Sequence, residues 1–98
     1  MTISKNQNGA ELEIRLEGRL DTSTAPELEA ELKTSLGGVD SLIFNLSGLE
    51  YISSAGLRVL LSAQKTMNKQ GNMKVTGANE TIMEIFDVTG FVDILNIE

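Results

Sequence analysis

The chain opens with two strand candidates joined by a turn, and the second shows the alternation of apolar and polar residues that is typical of β-strands. Thr2 to Asn6 is a short strand candidate, and the dipeptide Asn8-Gly9 after it readily adopts the positive φ angles of a tight hairpin turn. Beyond the turn, Leu12, Ile14 and Leu16 alternate with charged residues. The pattern predicts an antiparallel hairpin whose second strand has one buried and one solvent-facing side.

A helical period follows the hairpin. Thr24-Ala-Pro-Glu27 has the spacing of a capping box, in which the Thr24 hydroxyl accepts from the Glu27 backbone N–H and the Glu27 carboxylate reaches back. Apolar residues then recur at helical spacing until Gly37-Gly38, at positions Ala25, Leu28, Leu32 and Leu36. The segment predicts an amphipathic surface helix.

The second half of the chain predicts two further strand-and-helix units. Ser41 to Leu46 is a nearly continuous apolar run, typical of a central strand buried on both faces, and Ser47 to Tyr51 is expected to be a connection. A long helix is predicted from Ser54 to about Gln70, ended by Gly71. A short strand is predicted from Met73 to Thr76. A third helix is predicted to begin after its cap Asn79 and to end at Gly90, with Ile82, Ile85 and Phe86 on its inner face. A weaker apolar tail follows from Val92 to Ile97.

The order of these elements indicates the fold class. An initial hairpin followed by alternating helices and strands favours parallel crossovers after the hairpin. We therefore predict an α/β fold, with a mixed sheet of about four strands and helices packed on it. No repeat, linker or low-complexity stretch divides the chain, so residues 1–98 are expected to form a single domain.

The charge balance and the absent residue types exclude several kinds of function. Eight basic and fourteen acidic residues give a formal charge of -6, which repels nucleic acids and anionic membrane surfaces. Without cysteine or histidine, the chain has no thiolate nucleophile and lacks the commonest general base. Its carboxylates, Asp21, Glu50 and Asp87 among them, lie in separate segments without metal-ligand spacing. We expect a protein partner, and no catalytic residue, metal or cofactor.

The N-terminal residues show no basic region followed by an apolar run, so no secretory signal is recognised. No apolar run approaches the roughly 20 residues that cross a bilayer. We expect a cytoplasmic protein that binds neither a membrane nor nucleic acid directly.

The segment from Leu49 to Leu61 carries the main functional signal. A buried strand is expected to lead to Ser53 and Ser54, where the long helix begins at the edge of the sheet that often binds ligands. In one interpretation both serines are ordinary helix caps. In the other, Ser54 accepts a phosphoryl group, because the small pair Ala55-Gly56 leaves room for another molecule and an exposed Tyr51-Ile52 pair marks a contact site.

Three motifs in fixed order give the chain a family resemblance. They are Gly18-Arg-Leu-Asp21, then Asn45-Leu-Ser-Gly-Leu-Glu-Tyr-Ile-Ser-Ser-Ala-Gly-Leu-Arg58, then Phe86-Asp-Val-Thr-Gly-Phe91. Over essentially its whole length the chain resembles the anti-sigma factor antagonist family of bacterial STAS domains. The serine segment is the specific part of this resemblance, and each short motif alone is weak.

The resemblance implies a partner-switching regulator of transcription and not an enzyme. In this family the unphosphorylated protein binds an anti-sigma factor that is also a serine kinase and so releases a sigma factor. Phosphorylation reverses that binding, and a PP2C-type phosphatase is the implied second partner. The family phosphoacceptor lies two positions before the glycine, which is Ser54 here. Ser53 stands where the family usually has Asp, and it is the runner-up acceptor.

The resemblance also implies a contact surface for the partner around Ser54. Asp21 matches an acidic family position, although a turn residue is its alternative role. Arg58 contacts the partner or the phosphate, or is simply solvated. The expected partner-binding residues are Asp21, Thr22, Ser23, Tyr51, Ile52, Ser53, Ala55, Gly56, Leu57 and Arg58.

Two other functions stay open at this point. A domain of this type also fits a subunit of another machine, such as a stress-signalling assembly or a lipid transport complex. A nucleotide-hydrolysing domain that holds phosphates at the helix start ranks last, because the chain lacks the Gly-rich loop with lysine that such a site normally needs.

Overall fold

A four-stranded mixed sheet forms the frame of the molecule. The computed structural model describes residues 1–98. Its strands are β1 (Thr2–Asn8), β2 (Glu11–Leu20), β3 (Ser41–Ile52) and β4 (Asn72–Thr76), in the spatial order β1-β2-β3-β4. β1 pairs antiparallel with β2, whereas β2 with β3 and β3 with β4 are parallel. The predicted mixed sheet with an N-terminal hairpin is confirmed.

The hairpin turn lies one residue later than the sequence predicts. Asn8 pairs with Glu11, so the loop is Gly9-Ala10 and Asn8 still belongs to β1. Gly9 has a φ of 63°, which a glycine adopts without steric cost. The dipeptide signal was therefore right about the turn, and strand pairing through Asn8 decided its position.

Three helices pack on one face of the sheet. They are α1 (Ala25–Ser35), α2 (Ser54–Gln70) and α3 (Glu80–Val88), and a short 3-10 helix follows at Phe91–Asp93. The predicted bounds of the long helix α2 are confirmed. The chain turns after α2 at Gly71, where a Cβ atom would overlap the Asp40 carbonyl group, so only glycine fits this close approach. None of the helices is long and apolar enough to cross a bilayer.

The strand β3 is twice as long as the predicted one, and this changes the edge of the sheet. The prediction made Ser47 to Tyr51 a connection, but these residues continue β3 beside the second half of β2. The register shifts between Arg15 and Glu17, next to Gly48, whose missing Cβ would lie 2.7 Å from the Glu17 Cγ. A glycine within a strand often marks such a close approach. In the sequence, Gly48 is mistaken for a loop residue.

One face of the sheet is buried and the other is largely polar. In β3, Leu42, Phe44 and Leu46 are fully buried, while Ile43 and Asn45 on the opposite face are half-buried. The prediction of a strand buried on both faces is thus wrong, since the helices lie on one side. The buried face of the sheet and the apolar sides of the helices form one core that includes Leu12, Ile14, Leu16, Leu28, Leu32, Leu60, Met67, Ile82 and Phe86.

The predicted apolar tail closes the outer edge of β4. Ile97 forms a parallel bridge with Val75, and the Val75 N–H donates to the Asn96 carbonyl at 2.9 Å. The Glu98 N–H donates in turn to the Val75 carbonyl, and the Glu98 carboxylate lies 3.3 Å from the Lys74 ammonium group. These contacts cover backbone groups that would otherwise form an open sheet edge.

Candidate functional site

The parallel pairing of β2 with β3 brings the candidate residues to one edge of the sheet. Arg19 lies beside Tyr51 and Leu20 beside Ile52 in the register of the two strands. Just beyond their ends, the Ser53 N–H donates to the Leu20 carbonyl at 2.9 Å. The loop after β2 and the start of α2 are therefore neighbours, although about thirty residues separate them in the sequence.

The two serines have different roles at the start of α2. Ser53 is the N-cap residue, with extended backbone, and its Oγ accepts from the Gly56 N–H at 3.4 Å. Ser54 is the first residue of the helix, its side chain is exposed, and its hydroxyl makes no hydrogen bond within the chain. The capping interpretation holds for Ser53 alone, and the Ser54 hydroxyl is open to solvent.

The Asp21 carboxylate organises the loop between β2 and α1. Its Oδ1 accepts from the Ser23 hydroxyl at 2.8 Å, from the Ser23 N–H at 3.0 Å and from the Thr24 N–H at 3.2 Å. The bond from the Ser23 hydroxyl is the main cause that lowers the pKa of Asp21, and the backbone bonds add to it. Asp21 is thus a turn residue that carries a fixed negative charge.

The predicted capping box at Thr24 and Glu27 is wrong. The Thr24 side chain makes no cap bond to the helix; its hydroxyl donates to the Arg19 carbonyl and accepts from the Asp21 N–H, both at 2.9 Å. The Glu27 N–H donates to the Thr24 backbone carbonyl at 3.1 Å and not to the Thr24 hydroxyl. The Asp21 carboxylate accepts from the Ser23 and Thr24 N–H groups before the helix, and the Asp21 carbonyl accepts from the Ala25 N–H at 2.8 Å.

Arg19 is a site residue that the sequence did not single out. Its guanidinium lies 4.5 Å from the centre of the Tyr51 ring, at the distance of a cation–π contact, and its Nε lies 4.0 Å from the Asp21 Oδ2. Arg19 lies beside Tyr51 because the second half of β3 pairs with β2, and the sequence predicted a connection there. Only the strand register could have identified this contact.

A groove between α1 and α2 opens next to Ser54. It has a volume of about 310 Å³, and Arg58 supplies the single positive charge among its lining residues. Ala55 is half-buried and Arg58 is exposed. The residues that line the groove are Thr22, Ala25, Pro26, Glu29, Ala55, Arg58, Val59 and Ser62.

Three of the expected partner-binding residues lie in the core instead. Ile52, Gly56 and Leu57 are buried, so they offer no contact surface. A Cβ atom at Gly56 would come within 2.7 Å of the Leu20 Cγ and 2.8 Å of the Ile52 Cγ1. The small residue at this position serves packing within the chain, and the expectation that it makes room for another molecule is wrong.

The other expected contact residues stay at the surface. Thr22, Ser23 and Arg58 are exposed, and Asp21, Tyr51, Ser53 and Ala55 are half-buried. The first turn of α2 contains no acidic residue, so the partial positive charge of its free N–H groups is not offset within the helix. Together these features give an exposed serine hydroxyl surrounded by small and polar groups.

Comparison with known proteins adds a family to this geometry. The sequence profile of the STAS domain matches residues 2–98. An anti-sigma-B factor antagonist of Staphylococcus epidermidis is 32% identical over 87 residues, which are 87% of this chain and 81% of that protein. The anti-sigma-B factor antagonist of Bacillus subtilis strain 168 is 29% identical over 98 residues, which are 99% of this chain and 90% of that protein.

Solved structures share the fold. The anti-sigma factor antagonist SpoIIAA in its unphosphorylated form matches with a TM-score of 0.78 at 19% identity, over 99% of this chain and 87% of that chain. The Bacillus cell fate determinant SpoIIAA in the phosphorylated form matches with a TM-score of 0.77 at 20% identity, over 99% of this chain and 91% of that chain.

Proposed function

This chain belongs to the STAS domain family and to its anti-sigma factor antagonists, and on that premise we propose that it is a binding switch controlled by phosphorylation of Ser54. In its unphosphorylated form it binds an anti-sigma factor that is also a serine kinase, and a sigma factor is released. Phosphorylation of Ser54 abolishes this binding. The chain itself catalyses no reaction in this scheme.

The observation that carries the proposal is the division of roles between the two serines. The Ser53 hydroxyl accepts a helix N–H, whereas the Ser54 hydroxyl is exposed and makes no hydrogen bond. A kinase has to reach the hydroxyl oxygen and remove its proton, so a free, exposed hydroxyl is the better acceptor. This favours Ser54 over the runner-up Ser53.

A phosphate at this position changes the surface while the fold stays intact. It adds a charge of about -1.5 to -2 and three acceptor oxygens at the end of a helix where negative charge is favourable. The two forms of SpoIIAA, unphosphorylated and phosphorylated, match this chain almost equally well, with TM-scores of 0.78 and 0.77. That likeness supports a switch without a large change of shape.

Loss of partner binding follows from desolvation of the new charge. The proposed contact surface consists of the exposed and half-buried residues around Ser54, namely Asp21, Thr22, Ser23, Tyr51, Ser53, Ala55 and Arg58. A partner that covers this surface would bury the phosphate, and removing such an ion from water costs several kcal/mol. A loss of about 3 kcal/mol lowers the affinity more than a hundredfold.

The proposed cycle needs two protein partners. The anti-sigma factor serine kinase both binds the unphosphorylated chain and transfers the γ-phosphoryl group of ATP to the Ser54 oxygen. A PP2C-type phosphatase hydrolyses the phosphoserine and restores the binding form. We place this cycle in the cytoplasm, where ATP and the transcription machinery are found.

Phosphopeptide mapping tests the assignment of the acceptor. The protein is incubated with a candidate anti-sigma factor kinase and Mg-ATP, and the product is examined by intact-mass measurement and peptide mapping. We expect a single phosphate on Ser54, complete loss of it in Ser54→Ala, and retention in the control variant Ser53→Ala. A phosphate on Ser53, or none with any kinase of this type, contradicts the proposal.

A further inference from the structure

We propose that Arg58 is the binding residue for the phosphate on Ser54, so that the chain carries its own receptor for a phosphomonoester on the first turn of α2. This inference rests on the proposed function, since it takes Ser54 as the acceptor. The sequence allowed three roles for Arg58, namely contact with the partner, contact with the phosphate or plain solvation, and this inference assigns the second.

Helix geometry directs the Arg58 side chain toward Ser54. The two residues are four positions apart in α2, and such residues lie on the same side of a helix with Cβ atoms about 5–6 Å apart. Long side chains in a helix point back toward its N-terminus, which is the direction of Ser54. The guanidinium group is planar with several N–H donors and matches the oxygens of a phosphate in bidentate fashion.

Arg58 has no competing partner within the chain. Its side chain is exposed and forms no ion pair and no hydrogen bond. Four other cations are already engaged, in the pairs Lys5–Glu31, Arg19–Asp21, Lys33–Glu29 and Lys74–Glu98. Arg15, Lys65 and Lys69 are also free of ion pairs, and Arg58 is the one of these four cations that lies one helical turn from Ser54.

The acidic groups nearby are held by other residues. Glu29 of α1 lines the same groove as Arg58, and its carboxylate lies 3.8 Å from the Lys33 ammonium group. Asp21, in the loop before α1, accepts from Ser23 and Thr24. The charged groups that line the groove are therefore Glu29 and Arg58, and only Arg58 attracts a phosphate.

The consequence is a second effect of phosphorylation on the contact surface. The phosphate adds negative charge at Ser54 and at the same time engages the guanidinium of Arg58, which a partner could otherwise use. Both effects act on one side of α2. Phosphorylation thus turns a surface on which the charges of Asp21 and Arg58 balance into a negative one, and does more than add a bulky group.

A titration of phosphoserine tests the contact directly. Phosphoserine is installed at position 54 by genetic code expansion, so that no kinase is needed, and its second pKa is measured by phosphorus NMR at about 0.1 M salt, where the screening length is about 10 Å. A cation that binds the dianion lowers this pKa from its ordinary value near 6. We expect Arg58→Ala to raise the second pKa by about 0.2–0.4 unit relative to the otherwise unchanged phosphoprotein.

Lys65 provides the matched control. It is an exposed lysine of α2, free of ion pairs, at nearly the same angle around the helix as Ser54 but about 16 Å along its axis. Lys65→Ala removes one positive charge, as Arg58→Ala does, and we expect a change of about 0.1 unit or less because the distance exceeds the screening length. Equal shifts in the two variants would overturn the proposal.

The outcome is separate from that of the proposed function. The phosphoserine is introduced during protein synthesis and needs no kinase. The titration therefore tests the Arg58 contact even if no kinase labels Ser54. If no kinase labels Ser54 but Arg58→Ala raises the phosphoserine pKa, the proposed switch is contradicted and the Arg58 contact is supported. If Ser54 is labelled but Arg58→Ala and Lys65→Ala give equal shifts, the switch is supported and the Arg58 contact is contradicted.

Discussion

The starts of α2 and α3 lie at the same edge of the sheet and are built differently. The Asn79 Oδ1 accepts from the Ile82 N–H at 2.8 Å, and its Nδ2 donates to the Leu49 carbonyl of β3 at 3.1 Å. At α2 the corresponding bond, from the Gly56 N–H to the Ser53 Oγ, is 3.4 Å long, and the Ser53 side chain makes no second bond. Both helix starts are bonded to the sheet, α2 through the Ser53 backbone N–H and α3 through the Asn79 side chain, but the side-chain cap bond of α2 is the longer one.

The residue after each cap shows the same difference. Glu80 is the first residue of α3, and its negative charge offsets the partial positive charge of the helix end. Ser54 takes this position in α2, whose first turn has no acidic residue. The start of α3 carries its negative charge permanently, whereas under the proposed function the start of α2 acquires one only when Ser54 is phosphorylated.

The largest expected effect is on partner binding. Ser54→Asp places a permanent negative charge at the start of α2, as Glu80 does in α3, and we expect its affinity for the anti-sigma factor to fall more than a hundredfold, by about 3 kcal/mol. Ser54→Ala should bind as the unchanged protein does, and Glu80→Ser at α3 is the control. Isothermal titration calorimetry measures all three. Equal binding by Ser54→Ala and Ser54→Asp would end the proposed switch.

The next effect concerns the third residue of each helix. Ile82 fills the core with a large side chain, whereas Gly56 leaves no space for a Cβ beside Leu20 and Ile52. We expect Gly56→Ala to lower the free energy of unfolding by about 1–3 kcal/mol, because the added methyl group overpacks the core. Gly37→Ala is the control, since no atom lies within 4 Å of a Cβ there. Urea denaturation measures the free energy of unfolding of both variants. Equal values would show that Leu20 and Ile52 can move to accommodate the added methyl group.

A smaller effect separates the two caps. We expect Asn79→Ala to lower the free energy of unfolding by about 1–2 kcal/mol, since the variant loses a short cap bond and the bond to Leu49. Ser53→Ala should cost about 0.5 kcal/mol, because its single bond is long. Thermal unfolding followed by circular dichroism compares them. A larger loss for Ser53→Ala would reverse the comparison of the two helix starts.

The smallest effect depends on pH and tests the third helix start, that of α1. The hydrogen bonds from Ser23 and Thr24 lower the pKa of Asp21, so the folded state prefers the ionised carboxylate. A lowered pKa contributes stability above the unfolded-state value of about 3.9 and loses it as the pH falls through the lowered value. We expect the stability difference between the unchanged protein and Asp21→Ala to be full at pH 7 and to shrink below about pH 4.

Denaturant unfolding at a series of pH values measures this difference. Ser23→Ala serves as the comparison variant, because it removes the hydroxyl that contributes most to the lowered pKa. The pH dependence should weaken in that variant. A difference for Asp21→Ala that stays constant from pH 7 to below pH 3 would mean that the carboxylate charge does not stabilise the loop.

Most of the fold could be predicted from local patterns. The alternation in β2 and the helical spacing of Leu28, Leu32 and Leu36 identify elements whose apolar sides face the core, and both are confirmed. The bounds of α2 follow from Ser54 and Gly71. The second half of β3 escaped prediction, because Ser47-Gly48 resembles a loop and only pairing with β2 makes it a strand.

The candidate site divides in the same way. The sequence identified the segment that contains Ser54, but the roles of its neighbours depend on burial. Gly56 and Leu57 face the core and Arg58 faces solvent, although the three are consecutive. A helix turns by about 100° per residue, so adjacent residues meet different surroundings, and those surroundings come from β2 and α1.

What the sequence alone determined is the set of elements, their order and the serine segment, because periodicity, turn residues and motif spacing are properties of neighbouring residues. The tertiary structure decided which serine is free, that Arg19 lies against Tyr51, and that Arg58 borders a groove without a partner. These features depend on the register of β2 with β3 and on the packing of α1 beside α2. They join residues far apart in the chain, and no local pattern specifies such contacts.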